Sequence, residues 1–173
     1  MVDLESLLKI ELPRCLEQVK AISIPPFSPN DAIATAFTLT SPLDSALEVQ
    51  VLGHPLVDYN PNCRDDSSFI SPLYLKWFNG PEICVFDSQI HGYHGEMNAS
   101  AKFRGSGLPK VYLCSDCDHD WFHVLLQLNY WDACDELLED EPDLPIQDYF
   151  CHAVFVGKCL QCGTMHTILD MDL

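Results

Sequence analysis

The chain has 173 residues, 47% of them hydrophobic and 10% aromatic, enough to build a buried core and too many for wholesale disorder. Its 9 Lys+Arg against 26 Asp+Glu give a formal charge of −17. That charge repels phosphate backbones and anionic lipid, so nucleic acid and membrane are excluded as expected partners and a basic protein or peptide is favoured.

No apolar run approaches the roughly 18 residues of a membrane span, and the acidic start Met1-Val2-Asp3-Leu4-Glu5 is unlike a secretory leader. The nine cysteines are odd in number, which fits reduced thiols better than a disulfide framework. A cytoplasmic protein is expected.

In chain order, Leu4, Leu7, Leu8, Ile10 and Leu12 trace an apolar helical face that Pro13 should break. Leu16, Val19 and Ile22 continue it at three-residue spacing until Pro25-Pro26. Runs at 33–40 and 47–52 read as strands, and the Asn-, Asp-, Ser- and Pro-rich stretch 58–71 reads as a surface loop. Residues 74–78, Asn79-Gly80-Pro81 and 83–86 read as strand, turn, strand. The small, polar, glycine-containing stretch 98–110 is the expected boundary between a region 1–110 and a region 111–173.

Beyond that boundary the charge changes. Residues 1–110 hold 8 basic and 13 acidic side chains, whereas 111–173 hold Lys158 alone against 13 acids. Phe122, Val124, Leu126, Leu128 and Tyr130 alternate along one face of a strand over 121–130. An acidic helix over 132–141 should stop at Pro142, and 150–156 and 165–169 read as two more strands.

Those strands flank two C-x2-C pairs, Cys114-Ser-Asp-Cys117 and Cys159-Leu-Gln-Cys162, separated by 41 residues. Two intervening residues let a tight turn bend both sulfurs toward one ion at about 2.3 Å, while turn amides hydrogen-bond the sulfurs. Gly163 follows the second pair where a positive φ is convenient.

The pattern over 111–173 resembles a zinc ribbon: strand, Cys-x-x-Cys, strand, insertion, strand, Cys-x-x-Cys-Gly, strand. The resemblance covers about a third of the chain. It implies that Cys114, Cys117, Cys159 and Cys162 hold one structural Zn²⁺. Asp118 stands where the pattern has a glycine, and the insertion is longer than in a minimal ribbon. Thiolates also take iron, and a redox role would instead require a helix after a C-x2-C pair. A four-thiolate site is coordinatively closed and supports folding rather than hydrolysis.

Three further features carry candidate chemistry. His119, His123 and His166 lie near the pairs and could replace a cysteine as ligand. His91-Gly92-Tyr93-His94, with Asp87 and Glu96 nearby, could bind a second metal or share acid/base work, although two glycines suit a turn equally. Asp135, Glu136, Glu139, Asp140 and Glu141 crowd one short helix, where acids near the C-terminus oppose the macrodipole; a solvated face and a contact for a basic partner both fit.

The expected fold is α+β and strand-dominated: an N-terminal helix plus sheet, with an acidic C-terminal zinc-ribbon-like module carrying a helical insertion. The expected function is non-catalytic: a zinc-binding interaction module, with an inhibitor or immunity-type protein for a basic partner as its concrete form. An enzyme using His91 and His94 and a structural subunit of a larger assembly are the alternatives.

Overall fold

The computed structural model describes residues 4–8, 10–28, 33–63, 68–99 and 104–173. Parts of the expected N-terminal helix (1–3 and 9) and of the expected loops (64–67 and 100–103) lie outside these.

The element order is α1 (Leu4–Leu8), a 3-10 turn at Arg14–Leu16, β1 (Lys20–Ile24), β2 (Ile33–Thr40), β3 (Glu48–Pro55), a 3-10 turn at Leu56–Asp58, β4 (Phe69–Trp77) and β5 (Glu82–Phe86). Then follow α2 (Gly92–Glu96), β6 (Lys110–Val111), β7 (Phe122–Tyr130), α3 (Ala133–Asp140), a 3-10 turn at Ile146–Asp148, β8 (His152–Cys159) and β9 (Met165–Asp172).

Among the described residues nine strands join one antiparallel sheet, curled into a half-barrel. β7 is its hub. One edge of β7 pairs with β2 (Phe37↔Leu126) and, at its start, with β3 (Val49↔Phe122); its other edge pairs with β8 (Leu126↔Phe155), and β9 follows β8. The period-two pattern explains this centrality, because Phe122, Val124, Leu126, Leu128 and Tyr130 are all fully buried. Burying each such side chain contributes about 1.5–3 kcal/mol, and one face supplies five.

This architecture corrects the expected fold class. The expected strand dominance is present, but the layout of an N-terminal helix plus sheet beside a C-terminal zinc-ribbon-like module does not form. The helices are short, five, five and eight residues, and the strands of 111–173 are hydrogen-bonded between and beside those of 1–110. The N-terminal helical pattern fails beyond Leu8. Pro13 starts a 3-10 turn, and Lys20–Ile24 runs as an edge strand against β2 (Ile22↔Thr38), because a three-residue apolar spacing that fits a helical face yields here to strand pairing. Among the described residues no helix is long and apolar enough to cross a membrane.

Candidate metal centre

The register of β7 and β8 brings the two cysteine pairs together. Phe122, at the start of β7, pairs with Cys159, the last residue of β8. The first C-x2-C loop therefore enters the sheet beside the loop that turns β8 into β9. The 41-residue separation is the path out along β7, through α3, and back along β8, so it adds no distance between the loops.

The loops share one backbone design. In the first, the Cys114 amide donates to the His119 carbonyl (2.8 Å) and the Asp118 amide donates to the Cys114 carbonyl (2.8 Å). In the second, the Cys159 amide donates to the Thr164 carbonyl (2.9 Å) and the Gly163 amide donates to the Cys159 carbonyl (3.0 Å). The residue after each pair is left-handed, Asp118 at φ 57° and Gly163 at φ 77°. Aspartate tolerates that conformation better than most non-glycine residues, so Asp118 fills the glycine position of the first loop.

The four sulfurs lie within 4.8 Å of one another. Cys114 Sγ is 3.5 Å from Cys162 Sγ, and Cys117 Sγ is 3.6 Å from Cys159 Sγ. A tetrahedral ion with sulfur bonds of about 2.3 Å spaces its ligands about 3.8 Å apart, so the group has the size of a metal cage. No disulfide forms among the described cysteines. Thiolate ligands alone fit zinc and iron alike.

Local electrostatics divide the sulfurs, favouring the ionised form at Cys162 and opposing it at Cys114, where burial pushes the thiol up, and at Cys117. Hydrogen bonding with the hydroxyl and backbone of Thr164 brings the Cys162 thiol down to about 6, and Thr164 Oγ1 lies 3.3 Å from Cys162 Sγ. The His119 amide acts in the same direction on Cys117, but burial and the neighbouring thiols outweigh it and push that group up to about 12. Four adjacent thiolates repel one another, and a dication would replace their protons. His166 Nε2 lies 3.1 Å from Cys114 Sγ, with its ring against Tyr112 and Phe122. Cys114, Asp116 and His166 form a second, overlapping group of possible ligand atoms. Neither His119 nor His123 belongs to a ligand group among the described residues.

The other sequence candidates lie elsewhere. His91 precedes α2, its Nδ1 accepts the Asp87 amide (2.9 Å), and burial lowers its pKa. His94 is exposed and lines a cavity of about 600 Å³ with Trp131, Asp170 and Asp172. The carboxylates flanking this stretch face arginines. Arg104 donates to both oxygens of Asp87 (3.0 and 2.9 Å), and Arg14 pairs with Glu96 and with Asp148. Asp135, Glu136, Glu139, Asp140 and Glu141 are exposed along and just beyond α3, which is anchored by buried Cys134 and Leu138. Burial pushes the Cys134 and Cys151 thiols up to about 11, so both stay protonated.

A polar chain escaped the sequence reading. The Gln127 carbonyl oxygen accepts the Phe27 and Ser28 amides (both 2.8 Å), and its amide donates to Asn129 Oδ1 (2.9 Å). Asn129 Nδ2 lies 2.7 Å from His152 Nδ1, and His152 Nε2 lies 2.6 Å from Asp170 Oδ1. Gln127 and Asn129 are buried on the face of β7 opposite its apolar side chains. Their polarity between apolar neighbours was the available signal.

Comparison with protein-family models, with curated proteins and with solved structures returns no match, so no relative supplies a role for any residue.

Proposed function

We propose that the chain is a non-catalytic binding protein whose fold is fastened by one structural Zn²⁺ on Cys114, Cys117, Cys159 and Cys162, and that it engages a basic protein or peptide through acidic surface. The convergence of four sulfurs from two matching hairpin loops carries the reading, because a four-thiolate cage leaves no open position for substrate or water. A Zn(Cys)4 unit adds about −2 to a chain already at −17, which deepens the repulsion of nucleic acid. Inhibition of a basic toxin-like partner, as an immunity-type protein, is the concrete form of this role. Cysteines without a disulfide among the described residues suit a reducing, cytoplasmic setting.

The test compares proteins captured by the unaltered chain with those captured by the quadruple variant Glu136→Lys, Glu139→Lys, Asp140→Lys, Glu141→Lys. Basic proteins bound by the first and released by the second are expected. A captured set indifferent to the charge reversal would contradict the acidic α3 surface as the contact.

A further inference from the structure

At the metal end of the sheet lies a groove of about 310 Å³, within the size range of ligand pockets. Its floor is Trp77, buried in the core, whose indole N–H is spent on the Ala46 carbonyl (3.1 Å). Its walls carry large apolar groups held out in solvent. Phe78, just past β4, is 84% exposed and leans on the Trp121 ring (centroids 6.3 Å), and Leu43, in the β2–β3 connection, is 71% exposed. Leu160 closes one side.

The acidic side chains that line the groove are Asp44 and Glu48, both exposed, and the His119 side chain lines it as well. Lys20, which reaches the same connection, is engaged with Ser45 Oγ (2.8 Å). The Ala46 amide and the Ser41 hydroxyl keep Asp44 below the usual carboxylate range, so it is ionised at neutral pH.

We infer that this groove binds a segment of a partner protein that presents one large apolar side chain beside a lysine or arginine. The apolar floor and walls take the anchor, and the two rim carboxylates take the cation. Self-association through the same groove is disfavoured by the repulsion between two chains of charge −17.

The metal loops build part of this site. Leu160 lies between the two cysteines of the second pair, and its amide donates to the carbonyl of Trp121, which follows the first loop (3.1 Å). Fixing the four sulfurs therefore fixes one wall. The groove is also separate from the acidic helix: β7 runs from Phe122 beside the groove to Tyr130 before α3, a length of about 26 Å. The inference rests on the reading of the chain as a binding protein and is independent of α3.

The experiment is an NMR titration of the isotope-labelled full chain with acetyl-Arg-Phe-Arg-amide at millimolar concentration. Acetyl-Arg-Ala-Arg-amide and acetyl-Glu-Phe-Glu-amide are the controls. Saturable shifts of the Trp77 and Trp121 indole signals are expected, with affinity about tenfold above either control. They should vanish in Leu43→Ser/Phe78→Ser, where both replaced side chains are exposed and an unchanged melting curve verifies folding. Asp44→Asn/Glu48→Gln should weaken binding about three- to tenfold, and the quadruple α3 lysine variant should bind as the unaltered chain does.

Equal binding of the acidic peptide, no saturable shift, or concentration-dependent shifts of the same signals without peptide (a second copy in the groove) would each overturn the groove. Shifts confined to α3 and lost in its lysine variant would overturn the groove while leaving the acidic-surface reading intact.

Discussion

Asp118 and Gly163 occupy the same place in two matching loops, yet they bear different conformational costs. Each follows a C-x2-C pair and each is left-handed, at φ 57° and 77°. A Cβ at Gly163 would meet nothing within 4 Å, so a side chain there is opposed by backbone conformation alone. Gly163→Ala is therefore expected to cost about 1–2 kcal/mol in chemical denaturation, whereas Asp118→Gly should be neutral or slightly stabilising; a neutral Gly163→Ala would contradict the shared loop design. A second residue-scale effect concerns pH. Burial lowers the folded-state pKa of both His54 and His91; at His91, Asp87 opposes the shift and Arg14 adds to it. The folded chain then binds fewer protons than the unfolded chain once pH drops below the ordinary histidine value of about 6.5. Stability present above that pH is lost as pH falls from 6.5 through the folded values. His91→Gln should flatten part of that loss in denaturation midpoints measured from about pH 7.5 to 5.5.

At the scale of elements, β7 carries both the core and the polar chain. Asn129→Leu would strip His152 Nδ1 of its partner and is expected to cost about 1–3 kcal/mol. Adding His152→Leu should then cost less than its own single effect, because removing both partners leaves neither the Asn129 amide nor His152 Nδ1 stranded; full additivity would show that the two side chains are not coupled. The strength of β7 was legible because period-two alternation over nine residues has no helical counterpart. The strands at 33–40, 83–86 and 165–169, the acidic helix and the two cysteine pairs were legible for similar local reasons. The polar chain was not, since Gln127 and Asn129 meet His152 through strand pairing and not through sequence spacing. Nor was β1, whose Leu16-Val19-Ile22 approach fits a helix until β2 is present to pair with it. The groove beside the metal loops joins residues 41–48, 77–79, 119–121 and 160, four segments that strand pairing brings together (Val49↔Trp77, Val49↔Phe122, Phe122↔Cys159) and that sequence spacing does not.

For the whole molecule, the charge asymmetry read from the sequence does not mark off a separate body, because the strands of 111–173 are threaded through the same sheet as those of 1–110. The four cysteines cluster where the hub strand β7 meets β8 and β9 at one end, with the groove at that end and the acidic helix at the other. Metal loss should therefore be felt by the whole sheet. The central claim is that these four sulfurs hold one ion. Elemental analysis of protein purified without added metal, alongside Cys159→Ser/Cys162→Ser, tests it most directly. One tightly held zinc per chain, lost in the variant together with a large part of the melting temperature, is predicted. A chain that folds equally well with no metal, or whose metal content the variant leaves unchanged, would contradict it.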